Sequence, residues 1–141
     1  SAHSRAAAVI RQPTVIGRGR VLQVDFTGRA LASPMLRQYL VLLAGQYRLS
    51  GQYAADKFRS TEGLQWVVSC ANDRRELGRS APLLDTDGSW RELRIDFRAP
   101  FDCDAGLVLE LRAVGAVDVA GGMRGYMSFD AFSVQPVSGK P

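Results

Sequence analysis

Trp90-Arg91-Glu92-Leu93-Arg94-Ile95-Asp96-Phe97-Arg98 carries the period that decides the fold. From Glu92 onward it alternates charged and apolar residues without a break. Leu93, Ile95 and Phe97 therefore share one face of an extended chain, and Glu92, Arg94, Asp96 and Arg98 share the other. A strand of this kind has one side in a core and one in water. Ala99-Pro100 ends it, because proline lacks the ladder donor.

The same period recurs on both sides. Downstream, Leu107-Val108-Leu109-Glu110-Leu111-Arg112 turns Leu107, Leu109 and Leu111 inward, and 126–134 reads as the last strand. Upstream, Leu64-Gln65-Trp66-Val67-Val68-Ser69-Cys70 is a strand. In 47–53, Tyr47, Leu49, Gly51 and Tyr53 share one face, and Arg48, Ser50 and Gln52 the other. Residues 20–26 alternate and stop before Gly28. Residues 36–43 fit helix or strand and are assigned as strand, because Ala44-Gly45-Gln46 makes a tight turn into β sequence. The connections read as loops at 30–34, 71–89 (with a short strand at 76–79) and the glycine-rich 115–125. About eight strands with almost no helical period predict an all-β, antiparallel β-sandwich of jelly-roll topology over 20–136. An N-terminal arm (1–19), with a possible short edge strand, and a C-terminal tail (137–141) flank it.

The chain has 141 residues, enough for one domain with a real core, and 46% hydrophobic against 23% charged residues is an ordinary globular balance. The net charge is +4, and of 18 basic residues only Lys57 and Lys140 are lysine. A nucleic-acid binder gathers its basic residues on one stripe. Here they alternate with acids, so a solvated, charge-mixed strand face is expected and nucleic acid is not. The longest apolar run, Leu40-Val41-Leu42-Leu43-Ala44, stops at Gly45, too short to insert in a membrane. The first residues lack the apolar segment of a signal peptide, and the chain does not begin with Met. The expectation is a monomeric domain cut from a larger protein.

Cys70 ends a strand and Cys103 sits in a loop just before another. Neither belongs to a Cys-x-x-Cys pair, and His3 is the only histidine, so no zinc set is expected. A disulfide between them closes a loop of about 33 residues, stabilises by roughly 3–4 kcal/mol and implies a periplasmic or extracellular setting. The alternative is two buried free thiols acting as small apolar residues.

The features together are Tyr-x-Leu-Ser-Gly (47–51), Gly63-Leu64-x-Trp66-x-x-x-Cys70, a strand opened by Trp90 and ending Phe97-x-x-Pro100, a cysteine before a Leu-x-Leu strand, and Gly125-x-x-x-Phe129-Asp130-x-Phe132-x-Val134. This order resembles the galactose-binding-like jelly rolls used as carbohydrate-binding modules. It is most similar to those at the C-terminus of bacterial envelope proteins that also carry tetratricopeptide repeats. The resemblance implies a non-catalytic module riding on a larger exported bacterial protein, with a glycan or a partner protein as its ligand.

Trp66 shares its face with Leu64 and Val68 and reads as core. Trp90 opens its strand and reads as a packer at the sandwich edge. The candidate ligand-binding residues lie on loops or polar strand faces: Arg48, Gln52, Tyr39, Phe58, Arg59, Arg74, Arg124 and Tyr126. Arginine meets carboxylates bidentately, which points to an acidic glycan. The resemblance implies a possible structural calcium held near the chain ends, to which Asp25 and Asp130 could give oxygens; otherwise no cofactor is expected. Asp85-Thr86-Asp87-Gly88 starts like a calcium loop, but Glu92 comes too early, so it reads as a turn. With His3 in the arm, no catalytic triad is expected, nor an enzyme. The rival to a glycan module is a structural or protein-interaction domain without a sugar site.

Overall fold

The decisive strand is present in the computed structural model, which describes residues 8–31 and 35–137. Among the described residues there are eleven strands and one short helix: β1 (Ala8–Arg11), β2 (Thr14–Val15), β3 (Gly19–Arg20), β4 (Leu22–Thr27), β5 (Leu36–Leu40), β6 (Gly45–Arg59), β7 (Leu64–Cys70), β8 (Glu76–Arg79), β9 (Arg91–Ala99), β10 (Leu107–Ala113), α1 (Ala116–Ala120) and β11 (Arg124–Pro136). A five-stranded antiparallel sheet runs β1-β4-β11-β6-β9 and a four-stranded one runs β5-β10-β7-β8, with β2 and β3 forming a separate hairpin. The expected all-β sandwich is found, with more strands than expected.

The core follows from register. β9 lies on β6 with Leu93 opposite Gly51 and Ile95 opposite Leu49. β10 lies on β7 with Leu109 opposite Val68 and Leu111 opposite Trp66. Each of these pairs faces the space between the sheets, where Val24, Ile95, Leu111 and Met127 are sealed from water. Burying such side chains supplies the main stabilising term.

Four expectations need revision. The strand placed at 36–43 stops at Leu40. The one placed at 47–53 extends to Arg59, because β6 pairs with β9 through Tyr53 and with β11 through Arg59. The arm supplies the short edge strand expected of it, β1, paired antiparallel to β4, but also the β2–β3 hairpin, which was not expected. The glycine-rich stretch 115–125 contains α1, whose single turn is too short to show a period. It forms because the buried Asp118 carboxylate accepts hydrogen bonds from the Thr61 and Glu62 backbone N–H groups, both at 2.8 Å. His3, Lys140, part of the 30–34 loop and most of the tail lie outside the described residues.

Cys70 and Cys103 form the expected disulfide, with Cα atoms 5.4 Å apart. Arg75 lies over it, its Nη2 3.7 Å from both sulfurs and 2.9 Å from Asp102.

Candidate functional site

Along β6, Ser50, Gln52, Ala54 and Asp56 face away from the core, and along β11 so do Tyr126, Ser128 and Asp130. The ladder sets Gln52 beside Asp130 and Asp56 beside Tyr126, while β4 adds Gln23 and Asp25. This outer face of the five-stranded sheet is polar, and two further elements reach it.

The first is the turn of the β2–β3 hairpin. Its Arg18 donates from Nη1 to Gln52 Oε1 at 2.5 Å and to Asp130 Oδ2 at 3.1 Å. The second is the segment 85–89, which is pinned to β6. Thr86 N and Gly88 N both donate to the Ala55 carbonyl. The buried Thr86 hydroxyl accepts from Ala55 N at 3.0 Å and lies 2.6 Å from the Ser89 carbonyl. Asp85 Oδ1 accepts from Phe58 N at 3.0 Å, and that backbone bond holds the Asp85 carboxyl below the usual carboxylate range. The stretch is thus a turn, as read from sequence, and it delivers Trp90 half-buried beside the sheet. The Arg18 guanidinium lies over the Trp90 ring, 3.8 Å from its centroid, a cation–π contact.

The sequence-derived candidates divide between several places. Gln52 sits in the centre of this face, and Tyr126 is on it, 37% exposed. Arg48 is on the same face nearer β9, where its Nε donates to Asp96 Oδ1 at 2.8 Å and holds that carboxyl low. Arg59 and Arg124 are register partners at the far end, with the Arg124 guanidinium against Gly28. Phe58 is not a surface residue: it is 5% exposed and meets Phe26 at 5.6 Å between ring centroids. The left-handed backbone at Lys57 (φ 57°) adds one residue to the strand and turns the Phe58 ring inward. Tyr39 and Arg74 are on the other sheet's side, with Ser69 and Val108.

Asp25 and Asp130, the calcium candidates, already have donors. Asp25 takes Arg11 Nε at 2.6 Å and Gln23 Nε2 at 2.8 Å; Asp130 takes Arg18. Among the described residues no three acidic, histidine or cysteine side chains converge as a cation would need.

Sequence reasoning placed Trp90 at the sandwich edge, where it is found half-buried just before the edge strand β9, but missed Arg18 and the turn of the ring toward the outer face beneath it. Trp90 has the even parity of Glu92 and Arg94, the outward face of β9, and that parity was the available signal. For Arg18, in an arm between two glycines, no signal existed.

On the outer face of the four-stranded sheet, Glu110 is buried among Arg37, 2.8 Å away, and Arg112. Burial, the largest influence, raises its pKa, but the hydrogen bonds from Arg112 and Arg37 together outweigh it and hold the carboxyl below its ordinary range. A carboxyl depressed by folding stabilises above its unfolded pKa and loses that contribution as pH falls through the folded value. The urea midpoint is therefore expected to drop on acidification below about pH 4.3. Glu110→Gln should fall less steeply over the same range; parallel acid curves would refute the assignment.

No family model matches the sequence, and no curated protein matches it either. Solved structures do share its fold. A family 4 carbohydrate-binding module superposes with a TM-score of 0.66 at 13% identity, covering 96% of this chain and 82% of that one. The CBM22-1 xylan-binding domain of Paenibacillus barcinonensis Xyn10C gives 0.62 at 16% identity, covering 94% and 82%. The CBM22-1–GH10 modules of Clostridium thermocellum xylanase 10B, complexed with xylohexaose, give 0.60 at 12% identity, covering 95% of this chain and 25% of that one. The chain has the β-sandwich fold of carbohydrate-binding modules.

Proposed function

We propose that this chain is a non-catalytic carbohydrate-binding module of a larger exported bacterial protein, and that it holds an oligosaccharide on the outer face of the five-stranded sheet. The observation that carries the reading is the Trp90 ring lying under Arg18 beside Gln52 and Asp130. An aromatic face is an apolar platform for the C–H face of a pyranose. The groups around it suit hydroxyls, which both donate and accept: Gln52 does both, Asp130 accepts and Arg18 donates. In the free protein Arg18 covers the platform. A sugar ring takes that place, and the guanidinium then turns its donors to the sugar oxygens. Tyr126 and Arg48 extend the face, and Arg59 and Arg124 form a cationic end suited to uronic-acid carboxylates.

Two relatives in fold are described with xylan and xylohexaose, so a neutral β-linked xylo-oligosaccharide is the first probe and an acidic glycan the second. The disulfide supports a periplasmic or extracellular setting. The Clostridium chain, of which this chain matches a quarter, supports a module carried on a longer protein. A protein-interaction role is favoured by a different observation: Val41, Leu43 and Phe101 are each at least 85% exposed.

Calorimetric titration with xylohexaose, cellohexaose and an oligogalacturonate separates the two. The expected result is binding to at least one of them, weakened about tenfold or more in Trp90→Ala, a loss near 1.4 kcal/mol, with the melting temperature little changed. Heat from none of the three sugars, or binding indifferent to Trp90, would sink the glycan reading and leave the protein-interaction one.

A further inference from the structure

The outer face of the four-stranded sheet, across the sandwich from the sugar face, carries a depression of about 70 Å3. Its walls follow from register. On β10, Val108, Glu110 and Arg112 alternate with the inward Leu107, Leu109 and Leu111, so they face out. Tyr39 and Arg37 lie opposite Val108 and Glu110 on β5, and Ser69 lies opposite Val108 on β7.

Glu110 organises the charge. It is 5% exposed and accepts at Oε2 from Arg37 Nε at 2.9 Å and at Oε1 from Arg112 Nη2. Both guanidiniums are thereby fixed beside the depression. Each carries five N–H donors, so most of them stay open. Arg74 reaches the rim from the turn after β7, where its backbone N donates to the Cys70 carbonyl at 2.8 Å. It has no ion-pair partner among the described residues. The neighbouring acids are already engaged: Glu76, across the ladder from Ser69, with Arg79, and Asp73 with Arg75. Three guanidiniums around one carboxylate leave two positive charges unbalanced.

Ser69 lines the depression, 3% exposed, and its hydroxyl makes no hydrogen bond among the described residues. Buried hydroxyls are normally paired, so an acceptor belongs here. Water would satisfy the hydroxyl but would leave the charge unbalanced. The volume equals roughly two waters at about 30 Å3 each, which admits an oxyanion and excludes a sugar ring. A phosphate monoester brings nearly two negative charges and three acceptor oxygens. At the rim the Tyr39 ring is 61% exposed, a free surface for whatever carries the phosphate.

We propose that this depression is a second binding site, separate from the sugar face, for a phosphate monoester borne on a sugar. Arg37, Arg74, Arg112 and the Ser69 hydroxyl hold the phosphate, and the sugar lies outside on Tyr39.

Calorimetric titration with glucose 6-phosphate, inorganic phosphate and glucose tests this at about pH 7.5, above the second phosphate pKa near 6. Ionic strength is held at about 0.15 M with sodium chloride, so that general charge screening is constant. Glucose 6-phosphate is expected to bind, inorganic phosphate to bind several-fold more weakly, and glucose not to bind. Arg74→Gln and Ser69→Ala should each weaken the ester about tenfold or more, the effect of one charge-assisted hydrogen bond. Arg74 is exposed and unpaired, so that variant keeps the fold. Tyr39→Ala should remove the advantage of the ester over the free ion. Trp90→Ala should bind the ester as the wild type does, which keeps this site distinct from the sugar face. No binding of the ester, or binding unchanged in Arg74→Gln, would overturn the proposal. So would an ester bound no better than inorganic phosphate, or one lost in Trp90→Ala.

Discussion

Breaking the Cys70–Cys103 bond is expected to cost about 3.7 kcal/mol and to lower the melting temperature by roughly 10–15 °C. The first figure follows from the 33-residue loop that the bond closes. That loop holds β8, which belongs to the four-stranded sheet, and β9, which belongs to the five-stranded one. In the unfolded chain the bond removes conformations in which the two elements separate; in the folded chain they are already held. Both cysteines are buried, so a Cys70→Ala/Cys103→Ala chain also loses packing at the end of β7. Urea unfolding with and without reductant measures the effect. The slope of free energy against urea should rise on reduction, because a linear unfolded chain exposes more surface than a looped one. Equal midpoints in the two conditions would show that the unfolded chain already keeps the two elements close without the bond. They would also remove the stabilising motive for an oxidising compartment.

Legibility followed burial. β7, β9 and β10 could be read because each contributes a full row to the core, and a one-residue slip would put that row in water. Trp66 was placed correctly for the same reason. β6 was read only in part: beyond Tyr53 its period of two breaks at Ala54-Ala55, and the extra residue at Lys57 reverses the parity that follows. Reading Phe58 as a surface residue is the direct consequence. The sugar face was half visible. Gln52 and Tyr126 are outward positions of regular strands. Arg18 arrives from a hairpin 34 residues before Gln52, and nothing local encodes a contact that only the folded sheet creates. Asp118 shows the same limit, since its backbone partners lie 57 and 56 residues earlier.

Gly125→Ala is expected to destabilise by roughly 3–5 kcal/mol, and the reason lies in how β6 and β11 are held in register. Gly125 has φ +95°, and a Cβ there would stand 2.5 Å from the Lys57 carbonyl oxygen and 2.9 Å from the Phe58 Cα. Both are backbone atoms of the neighbouring strand, so no rotamer change relieves the contact; the strands must part. Left-handed backbone costs a side chain about 1–3 kcal/mol, and overpacking adds about 1–3 more. The register shifts at this point, so the same glycine sets Tyr126 opposite Asp56 on the outer face while the Phe58 ring faces inward. Gly122 provides the control, because its φ is +99° but a Cβ there would have nothing within 4 Å. Gly122→Ala therefore carries the conformational term alone, about 1–3 kcal/mol, and the difference between the two variants isolates the close approach of β6. If urea unfolding gives the two alanine variants the same loss, the strands yield at that point. The position of Tyr126 on the sugar face is then set by the ladder beyond the bulge and not by the glycine.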